Sequence, residues 1–188
     1  MNHWNTTNEL MVHRTRMVWY GKTSLPTTLP TGYLALPWCP ELLEDHAMVL
    51  AAAFAETLDA LLFPRLGSLQ TTLGLMDNTI SHPGFLPTTT WLITGPTGAC
   101  AVVQGIKDSP DSGYIMNLAV CPDHQNRGLG RKCLELALNG FKQAGITRVT
   151  LEATTGNVAA MRLYESLGFT TLSTLYREIK DTPDPYCI

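Results

Sequence analysis

The sequence predicts a single α/β domain, and three observations predict it. An apolar, strand-like run over 113–120 feeds the turn Gln125-Asn126-Arg127-Gly128-Leu129-Gly130. That turn opens an amphipathic helix in which Leu129, Cys133, Leu136, Ala137, Phe141 and Ala144 recur at helical spacing. A second buried-strand candidate, 148–154, is followed by a helix over 157–168. Asn157 reads as its N-cap, Ala160, Leu163, Tyr164 and Leu167 as its apolar stripe, and Gly168 as its stop. The length of 188 residues, without a break in composition, suits one well-cored domain.

The remaining elements fall in order along the chain. Residues 16–20 read as a short strand and 32–37 as another, separated by a threonine/proline turn region over 23–31. After Pro40 an amphipathic helix is expected over 41–62, then a weaker helical segment over 66–80 that ends at His82-Pro83-Gly84. Residues 89–94 and 99–104 flank the turn Gly95-Pro96-Thr97-Gly98 and read as a hairpin. The turn at 108–113 leads into the strand of the glycine motif, and 170–179 reads as the last strand. The organisation expected is an N-terminal extension with one extra strand over 1–30, the main domain over 31–180 and a tail over 181–188.

Composition excludes several classes. The net charge of −3 offers no electrostatic footprint for nucleic acid. Five cysteines, an odd number with no C-x-x-C pair, read as reduced thiols of a cytoplasmic protein rather than a disulfide frame or metal site. No signal peptide is read at the start, because no continuous apolar segment follows Arg14 and Arg16. The most apolar stretch, 48–63, carries Glu56 and Asp59 and is too short to span a bilayer, so no membrane association is expected.

A strand, a glycine turn and a helix start together make a place for a phosphate. Glycines let the backbone approach a ligand, and free N–H groups at a helix N-terminus carry partial positive charge. A P-loop would need Gly-Lys-Ser/Thr after four residues, and none follows. A dinucleotide fingerprint needs a third glycine where Cys133 stands, and an acid at the end of the next strand, whereas Glu152 sits inside it.

The pair of motifs Gln125-x-x-Gly128-x-Gly130 and Asn157-x-x-Ala160-x-x-Leu163-Tyr164-x-x-x-Gly168-Phe169, in that order, resembles the GNAT superfamily of acyl-CoA-dependent N-acetyltransferases. The resemblance covers about 113–169. It implies an α/β GNAT-type domain: a mixed, mostly antiparallel central sheet flanked by helices, splayed into a V-shaped cofactor cleft. Acetyl-CoA is the implied acyl donor, with no metal. Its pantetheine arm would pair with backbone at Leu118, Ala119 and Val120 and with Asn157. Its pyrophosphate would sit on Gln125, Asn126, Arg127, Gly128, Leu129 and Gly130, with Arg127 or Arg131 supplying charge. The chain offers one strand after Phe169 where the family usually has a hairpin, so the extra N-terminal strand is expected to take the vacant sheet position.

Acyl transfer to an amine needs a held thioester, a neutral amine and a proton for the leaving thiolate. The resemblance assigns the last role to Tyr164, whose phenol suits a thiolate of comparable basicity. No acid lies in 113–120, where Asn117 is the central polar residue, so the general base stays open. Glu152 is one candidate, and Asp77, Asn78 and His82 fall near the expected acceptor region. Cys121 and Cys133 read as packed thiols. The expected partner is a primary amine on a small metabolite or a protein N-terminus, with a homodimer possible; a non-catalytic acyl-CoA-binding or sensor domain is the alternative.

Overall fold

A computed structural model describes residues 11–21 and 24–179; the expected tail over 181–188 and Cys187 lie outside the described residues. The strands are β1 (Met11–Tyr20), β2 (Leu34–Pro37), β3 (Trp91–Gly95), β4 (Gly98–Ser109), β5 (Ser112–Val120), β6 (Arg148–Thr154) and β7 (Thr170–Glu178). The helices are α1 (Leu43–Phe54), α2 (Leu58–Leu62), α3 (Leu69–Ser81), α4 (Leu129–Gln143) and α5 (Val158–Ser166). The strands form one sheet in the order β2-β3-β4-β5-β6-β1-β7. Every neighbouring pair is antiparallel except β5 and β6, which α4 joins as a parallel crossover.

Two apolar layers cover the sheet. Phe141, Leu134 and Leu138 of α4, with Tyr164 near the end of α5, pack on Met17, Ile115 and Leu151. On the opposite face Leu50 of α1 and Met76 of α3 pack on Leu92, Val102 and Ala119. Alternate residues of β6 divide accordingly: Val149, Leu151 and Ala153 join the α4 layer, while Thr150, Glu152 and Thr154 face the other way.

The strand expected over 16–20 begins at Met11 instead and is interior, pairing with β6 on one side and β7 on the other. Its polar run His13-Arg14-Thr15-Arg16 conceals it, because period-2 apolar alternation is lost there. The structure recovers the strand by giving those polar groups partners: Arg14 and Thr15 are buried, and Arg14 is ion-paired. β1 lies beside β7, the neighbour that the sequence assigned to it.

The single helix expected over 41–62 is two helices. Thr57 breaks it, its hydroxyl accepting from Ala60 N–H and donating to the Phe54 carbonyl, so α2 starts afresh with its own N-cap. α3 starts at Leu69 because Ser68 and Thr71 form a capping box. The turn at 87–89 delays β3 to Trp91.

Candidate active site

β5 and β6 pair from Ser112↔Arg148 to Ile115↔Leu151, yet β5 continues to Val120 and β6 to Thr154. A β-bulge starts the parting: the β4 register passes from Gln104↔Asn117 to Gly105↔Ile115, leaving Met116 without an opposite residue. The wedge between the strands is a cleft of about 750 Å³. Leu118, Ala119 and Val120 line one wall, and Glu152 and Ala153 the other. Main-chain groups of β5 that would have met β6 are thereby left for a ligand.

The glycine turn closes one end of this cleft. Asn126 (φ 59°) and Gly128 (φ 78°) both adopt the left-handed region, and Gly128 is the N-cap of α4. No side chain caps that helix start, so the first N–H groups of α4 face outward without intrahelical partners. A Cβ at Gly130 would meet Leu163 Cδ2 at 3.3 Å, so the glycine lets α5 approach. Gln125, Asn126, Gly128, Leu129 and Gly130 all line the cleft.

The two arginines of the turn diverge. Arg127 does not line the cleft; its guanidinium donates to the Tyr33 hydroxyl at 3.2 Å and the Asp123 carbonyl at 3.1 Å. Arg131 does line it, held by Glu135 at 2.9 Å and by the Ser166 hydroxyl at 2.9 Å. Gln125 turns its amide back to the Val120 carbonyl at 3.2 Å. Asn157 both caps α5, accepting from Ala160 N–H at 3.1 Å, and lines the cleft.

Tyr164, on α5, lines the cleft and is buried. Burial first, and then the charge of Asp59, raise its pKa above the ordinary phenol value, so the hydroxyl keeps its proton at neutral pH. Beyond it lies a charged end. Arg14 donates to Asp59 Oδ1 at 2.8 Å, to Thr154 Oγ1 at 3.2 Å and to the Glu152 carbonyl at 3.1 Å. Thr154 also donates to Asp59 Oδ1 at 2.7 Å. Arg16 donates twice to Glu152 Oε1, while Arg14 and Arg177 stand 3.7 and 3.8 Å from Oε2. Arg14 and Arg177 both lie over the Phe63 ring. Three guanidinium groups thus surround two carboxylates.

Other candidates sit elsewhere. Asn117 donates to Gln104 Oε1 at 2.8 Å, and Gln104 donates to His46 Nδ1 at 3.2 Å, so the central amide of β5 is tied to a buried relay behind the strand. His82 lines the cleft, but its Nδ1 accepts from Gly84 N–H and fixes the turn. Asp77 and Asn78 are exposed on α3, away from the cleft lining. Cys39, Cys100, Cys121 and Cys133 are free thiols, and burial pushes Cys100 up to about 11 and Cys133 higher still. These buried thiols stay protonated and unreactive. Among the described residues no cluster of His, Cys, Asp and Glu could hold a metal, and no helix is long and apolar enough to cross a membrane.

Leu118, Ala119, Val120, the glycine turn, Asn157 and Tyr164 therefore line one cleft, and Arg127 does not. Sequence reasoning missed Arg14, Asp59, Phe63, Tyr114 and Arg177. The available signal was weak: two arginines at strand spacing, Arg14 and Arg16, and two acids, Glu56 and Asp59, in the apolar segment 48–63.

Known proteins are similar to this chain in sequence and fold. A family model described as the acetyltransferase (GNAT) family matches residues 80–169. The ribosomal protein bS18-alanine N-acetyltransferase of Escherichia coli is 38% identical over 90 residues, covering 48% of this chain and 58% of that protein. A mycothiol acetyltransferase of Kocuria rhizophila is 43% identical over 68 residues, covering 36% of this chain and 22% of that one. The chain thus spans less than two thirds of the length of either relative. A GCN5-related N-acetyltransferase from Sphaerobacter thermophilus superposes with a TM-score of 0.70 at 18% identity, covering 94% of this chain and 55% of that structure, which speaks for the fold. With the motifs, the splayed sheet and the family match in agreement, the chain belongs to the GNAT acetyltransferase family.

Proposed function

We propose that the protein is an N-acetyltransferase that moves an acetyl group from acetyl-CoA to a primary amine, on a small metabolite or a protein N-terminus, by direct transfer. The observation that carries this reading is the cleft itself, which joins the open helix start of α4, the unpaired edge of β5 and the Tyr164 phenol in one space. Acetyl-CoA, as substrate, would supply the acyl thioester. Main-chain N–H groups from Gln125 to Gly130 would hold its pyrophosphate, with Arg131 the better placed of the two arginines to add charge. Leu118, Ala119 and Val120 would pair with its pantetheine arm, and Asn157 would add a polar contact.

Tyr164 donates its proton to the departing sulfur as the amine nitrogen bonds to the acyl carbon and the C–S bond breaks. A protonated phenol is the form this step needs, and burial preserves it. The attacking amine must be neutral. Three guanidinium groups around Glu152 and Asp59 favour the neutral form of any amine bound there, and either carboxylate or water can accept its proton. The names of the relatives span a protein alanine and a small thiol conjugate, so both acceptor classes belong to the proposal.

The test is release of free thiol from acetyl-CoA against a panel of peptide N-termini and small amines, across a range of pH. Acetyl-CoA-dependent acetylation of at least one amine is expected. Tight acetyl-CoA binding with no turnover on any amine would replace this reading with a sensor domain.

A further inference from the structure

A smaller hollow of about 300 Å³ adjoins the charged end of the cleft. The two spaces share Asp108, Tyr114, Glu152 and Arg177, so a molecule with its amine in the cleft can extend into the hollow. The floor is the sheet itself, with Arg16 from β1 and Arg148 and Thr150 from β6. Three guanidinium groups therefore line it, against the carboxylates of Asp108 and Glu152.

These charges are unequally committed. Glu152 is overcompensated: Arg16 donates to one oxygen, and Arg14 and Arg177 face the other. Asp108 is exposed, where solvent and salt screen it. Arg148 donates to the Ser112 hydroxyl at 2.7 Å, a neutral partner, and no carboxylate among the described residues lies within ion-pair distance of it. A half-buried guanidinium on a neutral partner grips carboxylate or phosphate oxygens through paired hydrogen bonds. At the junction of the two spaces stands Tyr114, whose phenol burial pushes up to about 12, so it remains a donor.

Resting on the acetyltransferase reading above, we propose that the acceptor is an acidic amine: beside its primary amine it carries a carboxylate or phosphate that docks on Arg148 in this hollow. The neutral amine then sits among the guanidinium groups, and the acid of the same molecule balances their excess charge. A neutral or cationic amine gains no such partner, which makes the hollow a specificity site rather than part of the chemistry.

The test uses two matched pairs: the tetrapeptide amides Ala-Asp-Ala-Ala and Ala-Asn-Ala-Ala, and the α-amides of glutamate and glutamine. Acetylation is measured with wild type, Arg148→Gln and Arg148→Lys, and binding of the same compounds to CoA-saturated protein by calorimetry. We expect the acidic member of at least one pair to be favoured about tenfold in kcat/KM, which is about 1.4 kcal/mol. The ratio should fall to near one in Arg148→Gln, recover in part in Arg148→Lys, and leave CoA affinity unchanged in both. Preference within the peptide pair assigns the acid to a polypeptide, and within the glutamate pair to a small molecule. Equal treatment of acidic and neutral members, or a preference that survives Arg148→Gln, overturns the proposal. Turnover without discrimination sinks the hollow and keeps acetyl transfer. Discrimination in binding without turnover does the reverse.

Discussion

The two ends of the cleft are made of different materials. At the end proposed to hold the donor, the lining comes from Leu118 to Val120 and from Gln125, Asn126 and Gly128 to Gly130, close in sequence and set by one strand, one turn and one helix start. At the end proposed to take the acceptor, it comes from charged side chains: Arg14 of β1, Asp59 of α2, Glu152 of β6 and Arg177 of β7, brought together over sequence separations of up to 163 residues (177 − 14). A backbone site constrains residue type through glycine geometry and so leaves a spacing motif. A side-chain site constrains only charge and reach, which many sequences satisfy.

The comparison predicts that damage at the acceptor end is felt first as lost stability, because there the site and the fold share one ion network. Arg14→Met strands the Asp59 carboxylate, which has no other ion-pair partner among the described residues, and should cost about 3 kcal/mol in denaturant unfolding while leaving acetyl-CoA affinity unchanged. A loss under about 1 kcal/mol would mean that this network does not hold α2 to the sheet.

Behind the donor strand the relay from Asn117 ends on His46, and burial lowers that imidazole from 6.5 to about 4. Above pH 6.5 the folded and unfolded chains are both neutral there, and the stability is fully present. As pH falls toward 4 only the unfolded chain takes up the proton, so stability should decline by up to about 3 kcal/mol. Urea unfolding at a series of pH values measures this, and a flat profile between those limits would remove His46 from the account.

At the chemical centre, Tyr164→Phe should lower kcat about 100-fold with acetyl-CoA Kd unchanged. A fall in kcat/KM caused by KM alone would instead make Tyr164 a packing residue. The smallest effect is expected in the turn. Gly128→Val places a β-branched residue at φ 78° and should weaken acetyl-CoA binding about tenfold through ~1–2 kcal/mol of strain, with kcat at saturation preserved.

The same division explains what was legible before the structure. The hairpin, the glycine turn, α4, β6 and α5 follow from periodicity and caps because each is decided locally. The start of β1 was hidden because His13-Arg14-Thr15-Arg16 has no apolar alternation, and a buried arginine is invisible until its acid is found. The break between α1 and α2 was hidden because Thr57 among apolar residues looks like an ordinary helix position; its capping role shows only in the bonds to Phe54 and Ala60. Asp59, which lines the cleft, sits in the helix that this break begins, so the same threonine hid it as well.

The interior position of β1 has a consequence for synthesis. Residues 11–20 leave the ribosome before the other described strands, yet both of their neighbours, 148–154 and 170–178, are the last two of those strands to be made. Until then β1 carries two open edges, and the closing of a loop of more than a hundred residues must precede any pairing. The charged end of the cleft is therefore completed only after translation of β7, whereas the sheet from β2 to β5 can assemble while the chain is still growing.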